Sequence, residues 1–226
     1  MTVDLNHRTI RPIGAYALQG VTSSPDGLLA LDAVRGYLLQ IDCATDNTRI
    51  LNPHHTEAWL DSVGLALWDD TLWYSKGHSV YRCPRSSFVP EPFVRLPYPA
   101  NGVAVTDAVV YVACQKYGYI QVFARDSAEL VTRFIAPGIG VETLTVRGDE
   151  LWVCDRDEQT VYCMDRATGE IRLSLLTPIT SPSGITFHTD AAGEERCYIA
   201  YALEEPYIRD DPNSENPHQL TFRDRT

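Results

Sequence analysis

Short apolar runs, each closed off by Gly, Asp, Asn or Ser, recur along this chain, and they recur in register. Five segments share one pattern around a small residue: Gln19-Gly20-Val21, Val63-Gly64-Leu65-Ala66-Leu67, Asn101-Gly102-Val103-Ala104-Val105, Glu142-Thr143-Leu144-Thr145-Val146 and Ser183-Gly184-Ile185-Thr186-Phe187. With Gly20, Gly64, Gly102, Thr143 and Gly184 as markers, the steps are 44, 38, 41 and 41 residues. Leu29, Trp73, Tyr111 and Trp152 hold the same place in the first four units, inside apolar runs at 28–32, 72–75, 110–114 and 151–155. The fifth unit reaches its equivalent run, 197–201, five residues late, because a polar turn at 191–195 lengthens the hairpin. A third run follows at 37–42, 80–83, 119–124 and 161–165, and the turn at 166–170 feeds a fourth at 171–175. Most of these runs are rich in β-branched and aromatic residues, as strands are. No stretch keeps a 3.6-residue period long enough for a core helix.

Four strands in about 40 residues is the pattern of a β-propeller blade. A single four-stranded sheet cannot bury both its faces, so such units must stack around an axis and the ring must close. The sequence therefore predicts an all-β chain, one propeller domain of five blades spanning about 18–55, 56–99, 100–140, 141–181 and 182–226. The last unit ends at 219–226, which aligns with the third strand and turn at 161–168. Residues 8–13, just ahead of the first marker, read as its missing fourth strand, so the N-terminal strand is expected to close the last blade. A six-bladed or truncated ring is the alternative, and the chain is compatible with being the N-terminal domain of a longer protein.

Composition narrows the function. With 44% hydrophobic and 22% charged residues, the 226-residue chain has the material for a folded core. Its net charge of −11 speaks against nucleic acid, whose phosphates need clustered Lys and Arg. No window approaches the roughly 18–20 apolar residues of a membrane helix, and the polar start at 1–8 has no apolar leader segment. A cytoplasmic protein with neither nucleic acid nor membrane as partner is expected. Cys43, Cys83, Cys114, Cys154, Cys163 and Cys197 form no C-x-x-C pair. That excludes a zinc ribbon and predicts reduced thiols serving as small hydrophobes.

In a propeller the innermost strands line the channel, and the loops entering them share one face with the hairpins joining second and third strands. The mouth of the channel should thus be ringed by Gln19, Val63, Asn101, Glu142 and Ser183. Around it the sequence places Lys76 and His78, Lys116, Tyr117 and Tyr119, and Asp155 and Arg156. A long insertion, 203–217, carries Glu204, Glu205, Asp210, Asp211 and Glu215 against Arg209. Each residue also has a structural reading. Asn101-Gly102 is an ordinary turn dipeptide, His78 a solvated loop residue, Glu142 an acceptor for backbone groups, and the tyrosines packing between blades. Asp155-x-Asp157 starts like a calcium loop but lacks the later Gly and Glu. There is no G-x-S-x-G, phosphate loop or dinucleotide fingerprint.

The run Pro99-Ala100-Asn101-Gly102-Val103-Ala104-Val105, with Val110-Tyr111-Val112-Ala113 after it, resembles blades of the gluconolactonase/senescence-marker family. The segments Ser181-Pro182-Ser183-Gly184-Ile185-Thr186 and 161–170 are similar to NHL repeats. The first resemblance implies a divalent cation such as Ca²⁺ at the channel mouth, held by a Glu, an Asn and an Asp. Asn101 carries over with its motif, Glu142 stands as the acidic ligand, and Gln19 replaces the family's Glu in the first blade. Two functions follow as expectations. One is a non-catalytic binding or scaffold propeller that uses the loop-rich mouth for a protein partner or small ligand. The other is a divalent-cation-dependent hydrolase or lyase acting on a small lactone.

Overall fold

The computed structural model describes residues 15, 17–114, 117–177 and 181–201. Four four-stranded antiparallel sheets follow one another: β1–β4 (Leu18–Ser24, Gly27–Asp32, Tyr37–Ile41, Thr48–Ile50), β5–β8 (Ser62–Trp68, Thr71–Lys76, Ser79–Pro84, Glu91–Arg95), β9–β12 (Val103–Val105, Val109–Cys114, Tyr119–Ala124, Leu130–Ile135) and β13–β16 (Val141–Arg147, Glu150–Asp155, Thr160–Asp165, Ile171–Leu176). A fifth sheet has two strands among the described residues, β17 (Pro182–Thr189) and β18 (Glu195–Tyr201). The first strand of each sheet is innermost. β1 packs against β5, β5 against β9, β9 against β13, β13 against β17, and β17 back against β1. The four complete blades and their order are those the repeat predicts, and the fifth unit shows two strands of the expected four among the described residues. The stretches 8–13, 203–217 and 219–226, with Lys116, Glu204, Glu205, Asp210 and Asp211, lie outside the described residues.

Alternation along the second strands explains why they read as unbroken apolar runs. Successive side chains of a strand point to opposite faces, and here both faces are covered by a neighbouring blade. Leu29 and Leu31 face the second blade, where they meet Leu65, Leu72 and Tyr74, while Leu28 and Ala30 face the fifth, against Tyr198 and Ala200. Val110 and Val112 join Trp73 and Val80 in the next seam, and Tyr111 and Ala113 join Leu151 and Val153 in the one after. Trp152 and Cys154 turn toward Ile185 and Phe187. Each seam thus has its own small core. Ser23 Oγ and His188 Nδ1, 2.9 Å apart, add a polar tie between β1 and β17.

The marker positions sit where inner strands come closest. A Cβ on Gly102 would lie 2.7 Å from Thr143 Cα and 2.8 Å from the Leu144 nitrogen; one on Gly64 would lie 2.9 Å from Gly102 Cα. The repeat's glycine is therefore a contact between backbones of adjacent blades.

Three outer strands, β4, β8 and β12, were not legible as strands. They are short or largely exposed, so no inward face imposes a pattern on them. The 3₁₀ turn Thr56–Trp59 was not foreseen either; it buries Trp59, which stacks on Tyr74 at 4.2 Å between centroids. None of the six cysteines is joined in a disulfide. Burial pushes the thiols of Cys83, Cys114 and Cys163 up to about 11, which leaves them inert.

Gly102→Ala should cost about 1–3 kcal/mol through this backbone clash, lowering Tm by about 2–4 °C per kcal/mol. Gly77 has a φ of +56° but open space around it, so Gly77→Ala should cost only the left-handed penalty, about 1 kcal/mol. Equal losses in calorimetry would remove the close-approach explanation.

Candidate functional site

At the mouth of the channel the ladder slips in every blade. Register shifts fall between Leu18 and Val21, Val63 and Leu65, Val141 and Thr143, and Pro182 and Gly184. In the third blade Asn101 donates its N–H to the Ala113 carbonyl while Ala113 donates to Gly102, both at 2.9 Å, so two residues again oppose one. Such bulges free a side chain from the pleat and re-aim it. The register passes over Glu142 in the fourth sheet and Ser183 in the fifth and slips within Gln19-Gly20 in the first, whereas in the second it passes over Gly64 and leaves Val63 paired with Ser75. Gln19, Val63 and Asn101 are half-buried, and Ser183 is fully buried with no partner for its hydroxyl among the described residues. Glu142 is 7% exposed.

Glu142 is the chemical centre of this ring. An Arg156 guanidinium nitrogen stands 3.5 Å from its Oε1, and Asn101 hydrogen-bonds the carboxylate from the neighbouring blade. Burial raises the carboxyl above its ordinary value of 4.5 and the Asp157 charge adds to this, while Arg156 and Asn101 pull it down without cancelling the rise. Behind it a Gly-x-Gly loop clasps an acidic hairpin. Gly140 donates its N–H to Asp155 Oδ2 and accepts from Arg156 N–H, both at 2.8 Å. Asp155 also accepts the Glu158 N–H at 2.8 Å. Side chains on Gly138 or Gly140 would collide with Asp155, Asp157 and Glu158. The loop that delivers Glu142 and the hairpin that delivers Arg156 are thus pinned together, and desolvation raises Asp155 as well.

The other predicted residues stand further out. His78 is exposed and donates through Nδ1 to the Leu96 carbonyl at 3.3 Å, the role of a loop residue. Lys76 donates to the Glu57 and Ala58 carbonyls at 3.2 and 3.4 Å. Tyr117 and Tyr119 are exposed; Tyr117 stacks on Tyr98, and Arg133 lies over the Tyr119 ring. Asp157, Gly138, Gly140 and Tyr98 were not picked out as a group. The signal for the glycines was present in Gly138-Ile139-Gly140 two residues before Glu142; the pairing of that loop with 155–158 is long-range and left none.

For the divalent cation that the resemblance implies, the oxygen donors would be Glu142, Asn101 and Gln19. They fit it poorly. The one carboxylate of the ring already faces a guanidinium, and no three His, Cys, Asp or Glu side chains converge to hold a metal among the described residues.

The architecture is that of a β-propeller, and solved structures agree. The chain is similar to a glutaminyl cyclase of Myxococcus xanthus (14% identity, TM-score 0.62, covering 84% of this chain and 94% of that one). It is similar to a chain of a nidogen/laminin complex (12%, TM-score 0.56, 76% and 69%) and to a streptogramin B lyase (14%, TM-score 0.51, 87% and 72%). At these identities the likeness establishes the fold. No family model and no curated protein matches the chain. No helix among the described residues is long and apolar enough to cross a membrane.

A carboxyl raised on folding contributes most to stability when protonated, below its unfolded value, and that contribution is lost as pH rises through the folded value. Glu142→Gln should therefore raise Tm at pH 7, with the difference shrinking toward pH 4. A lower Tm for the Gln variant at pH 7 would mean that the Arg156 pair outweighs the desolvation of Glu142.

Proposed function

We propose that this chain is a ligand-binding propeller whose working surface is the channel mouth, where Glu142, Asn101 and Arg156 receive a small polar molecule. The observation that supports it most directly is the placement of Glu142. A carboxylate kept from water, raised in pKa and set on a bulge at the end of an axial channel is the kind of arrangement that gathers at functional sites. Glu142 would accept from an N–H or O–H of the ligand, and Arg156, one-third exposed along its side chain, would turn to an acceptor. The loop-rich face around this site is also where a protein partner would dock.

Proton transfer by Glu142 is the second reading. A carboxyl displaced toward neutrality is what a general acid–base needs, and two of the similar propellers are, by name, a cyclase and a lyase. Hydrolase or lyase chemistry on a small ring would then use Glu142 rather than a metal.

A thermal-shift screen of small polar amides, lactones and diols, repeated on Glu142→Gln and Arg156→Ala, tests the site. A ligand at 100 times its Kd should stabilise by about 2.7 kcal/mol, and both substitutions should abolish that shift. Ligands that stabilise the wild type and both variants alike would place the function elsewhere. Turnover lost in Glu142→Gln, with binding retained, would select the proton-transfer reading.

We infer also that 8–13 and 219–226 complete the fifth sheet, giving five blades. Without them β18 would present an open, aggregation-prone edge. Removing residues 1–13 should then lower Tm and promote association in light scattering; an unchanged Tm and a monomeric product would contradict that closure.

A further inference from the structure

Tyr98 and Tyr117 stack with centroids 3.6 Å apart and planes inclined by 32°. Tyr98 lies three residues before Asn101, on the loop entering the third inner strand; Tyr117 lies on the hairpin between β10 and β11, on the same face of the ring. Tyr98 is half-buried while Tyr117 remains 46% exposed, so the stack leaves aromatic surface open to water at the mouth. The hairpin is also tied to the loop that leads to Glu142, because Ala136 donates its N–H to the Gly118 carbonyl at 2.8 Å. Aromatic surface and buried carboxylate are thus joined through one short piece of backbone.

The charge around this shelf has one dominant sign. Glu142, Asp155, Asp157 and Glu158 gather on the loop and hairpin beside it, against Arg156 among them and Arg133 over the Tyr119 ring. Carboxylates and the negative face of an aromatic ring attract the same kind of ligand. Neither favours an anion.

We propose that the mouth recognises an organic ammonium ligand with an apolar body, the charged nitrogen set toward Glu142 and Asp157 and the body lying on Tyr117. This rests on the channel-mouth reading above and names the ligand class for it. Tyr98 acts as the backing that holds Tyr117 in place, and Asn101 keeps the Glu142 carboxylate turned to the ligand.

The test is NMR or calorimetric titration of the full chain with benzyltrimethylammonium, tetramethylammonium, benzyl alcohol and benzenesulfonate. Benzyltrimethylammonium should bind best, tetramethylammonium and benzyl alcohol several-fold more weakly, and benzenesulfonate not at all. Tyr117→Ala should weaken the aromatic cation about fivefold or more, Tyr117→Phe should retain it, and Glu142→Gln should weaken both cations. Benzenesulfonate binding as tightly as the cation, or an unchanged affinity in Tyr117→Ala, overturns the proposal. If the cations fail while neutral probes still respond to Glu142→Gln, the ammonium class falls and the channel-mouth reading stands. If no probe responds to Glu142→Gln, both fall.

Discussion

Backbone meets backbone where the inner strands approach the axis, and the rest of the molecule is arranged around that contact. Four-stranded sheets are wedge-like when stacked in a ring: the outer strands are far apart and the inner ones crowd. At Gly64 and Gly102 the crowding leaves no room for a Cβ, since the next blade's main chain already occupies the place. Where the marker is Thr143 its hydroxyl is buried, adjacent to the Cys154 thiol. Because the approach is repeated at each seam, the residues next to it fall at equivalent positions, and so do the strands beyond. The hydrophobic seams then follow from alternation alone, each second strand feeding one neighbour with its odd residues and the other with its even ones.

The same crowding generates the site. Inner strands that converge cannot keep an unbroken ladder, and the bulge at each mouth position absorbs the mismatch. A bulged residue is released from the pleat, so its side chain is no longer claimed by a seam. In the first sheet that freedom falls within Gln19-Gly20, in the fifth to Ser183, and in the second to Gly64, which has no side chain to use it. In the third and fourth it falls to Asn101 and Glu142, which come together across a seam, with Arg156 brought in by the hairpin that the Gly138–Gly140 loop clasps. A polar cluster built this way is held by the scaffold's own geometry, without a dedicated loop.

Most of the fold was legible because burial on two faces writes a strong pattern. Second strands such as 110–114 and 151–155 have every residue committed to one seam or another, and their boundaries came out within one residue of the observed β10 and β14. The outer strands β4, β8 and β12 answer to no such demand, and although four strands per blade are expected their positions are not marked in the sequence. At the site, the ring positions Asn101 and Glu142 could be found from period alone. What stayed hidden was their chemistry. That Arg156 faces Glu142, that Asp157 leans on Gly140, and that Tyr98 backs Tyr117 all depend on contacts between the loop entering a blade and that blade's own second hairpin, and sequence spacing carries no trace of them.

Since each seam keeps its own core, coupling in this ring runs chiefly between nearest neighbours. Apart from Asn101 and Glu142, which bond each other across a seam, the mouth residues are therefore close to independent variables. A substitution at one of them perturbs two seams at most, and leaves the remaining blades with the contacts they had. A chain organised in this way can exchange a Gln, a Val or a Ser at the mouth for another side chain without renegotiating its fold. Chemical identity is read out like letters in separate slots, and a new binding preference is one or two letters away from an old one.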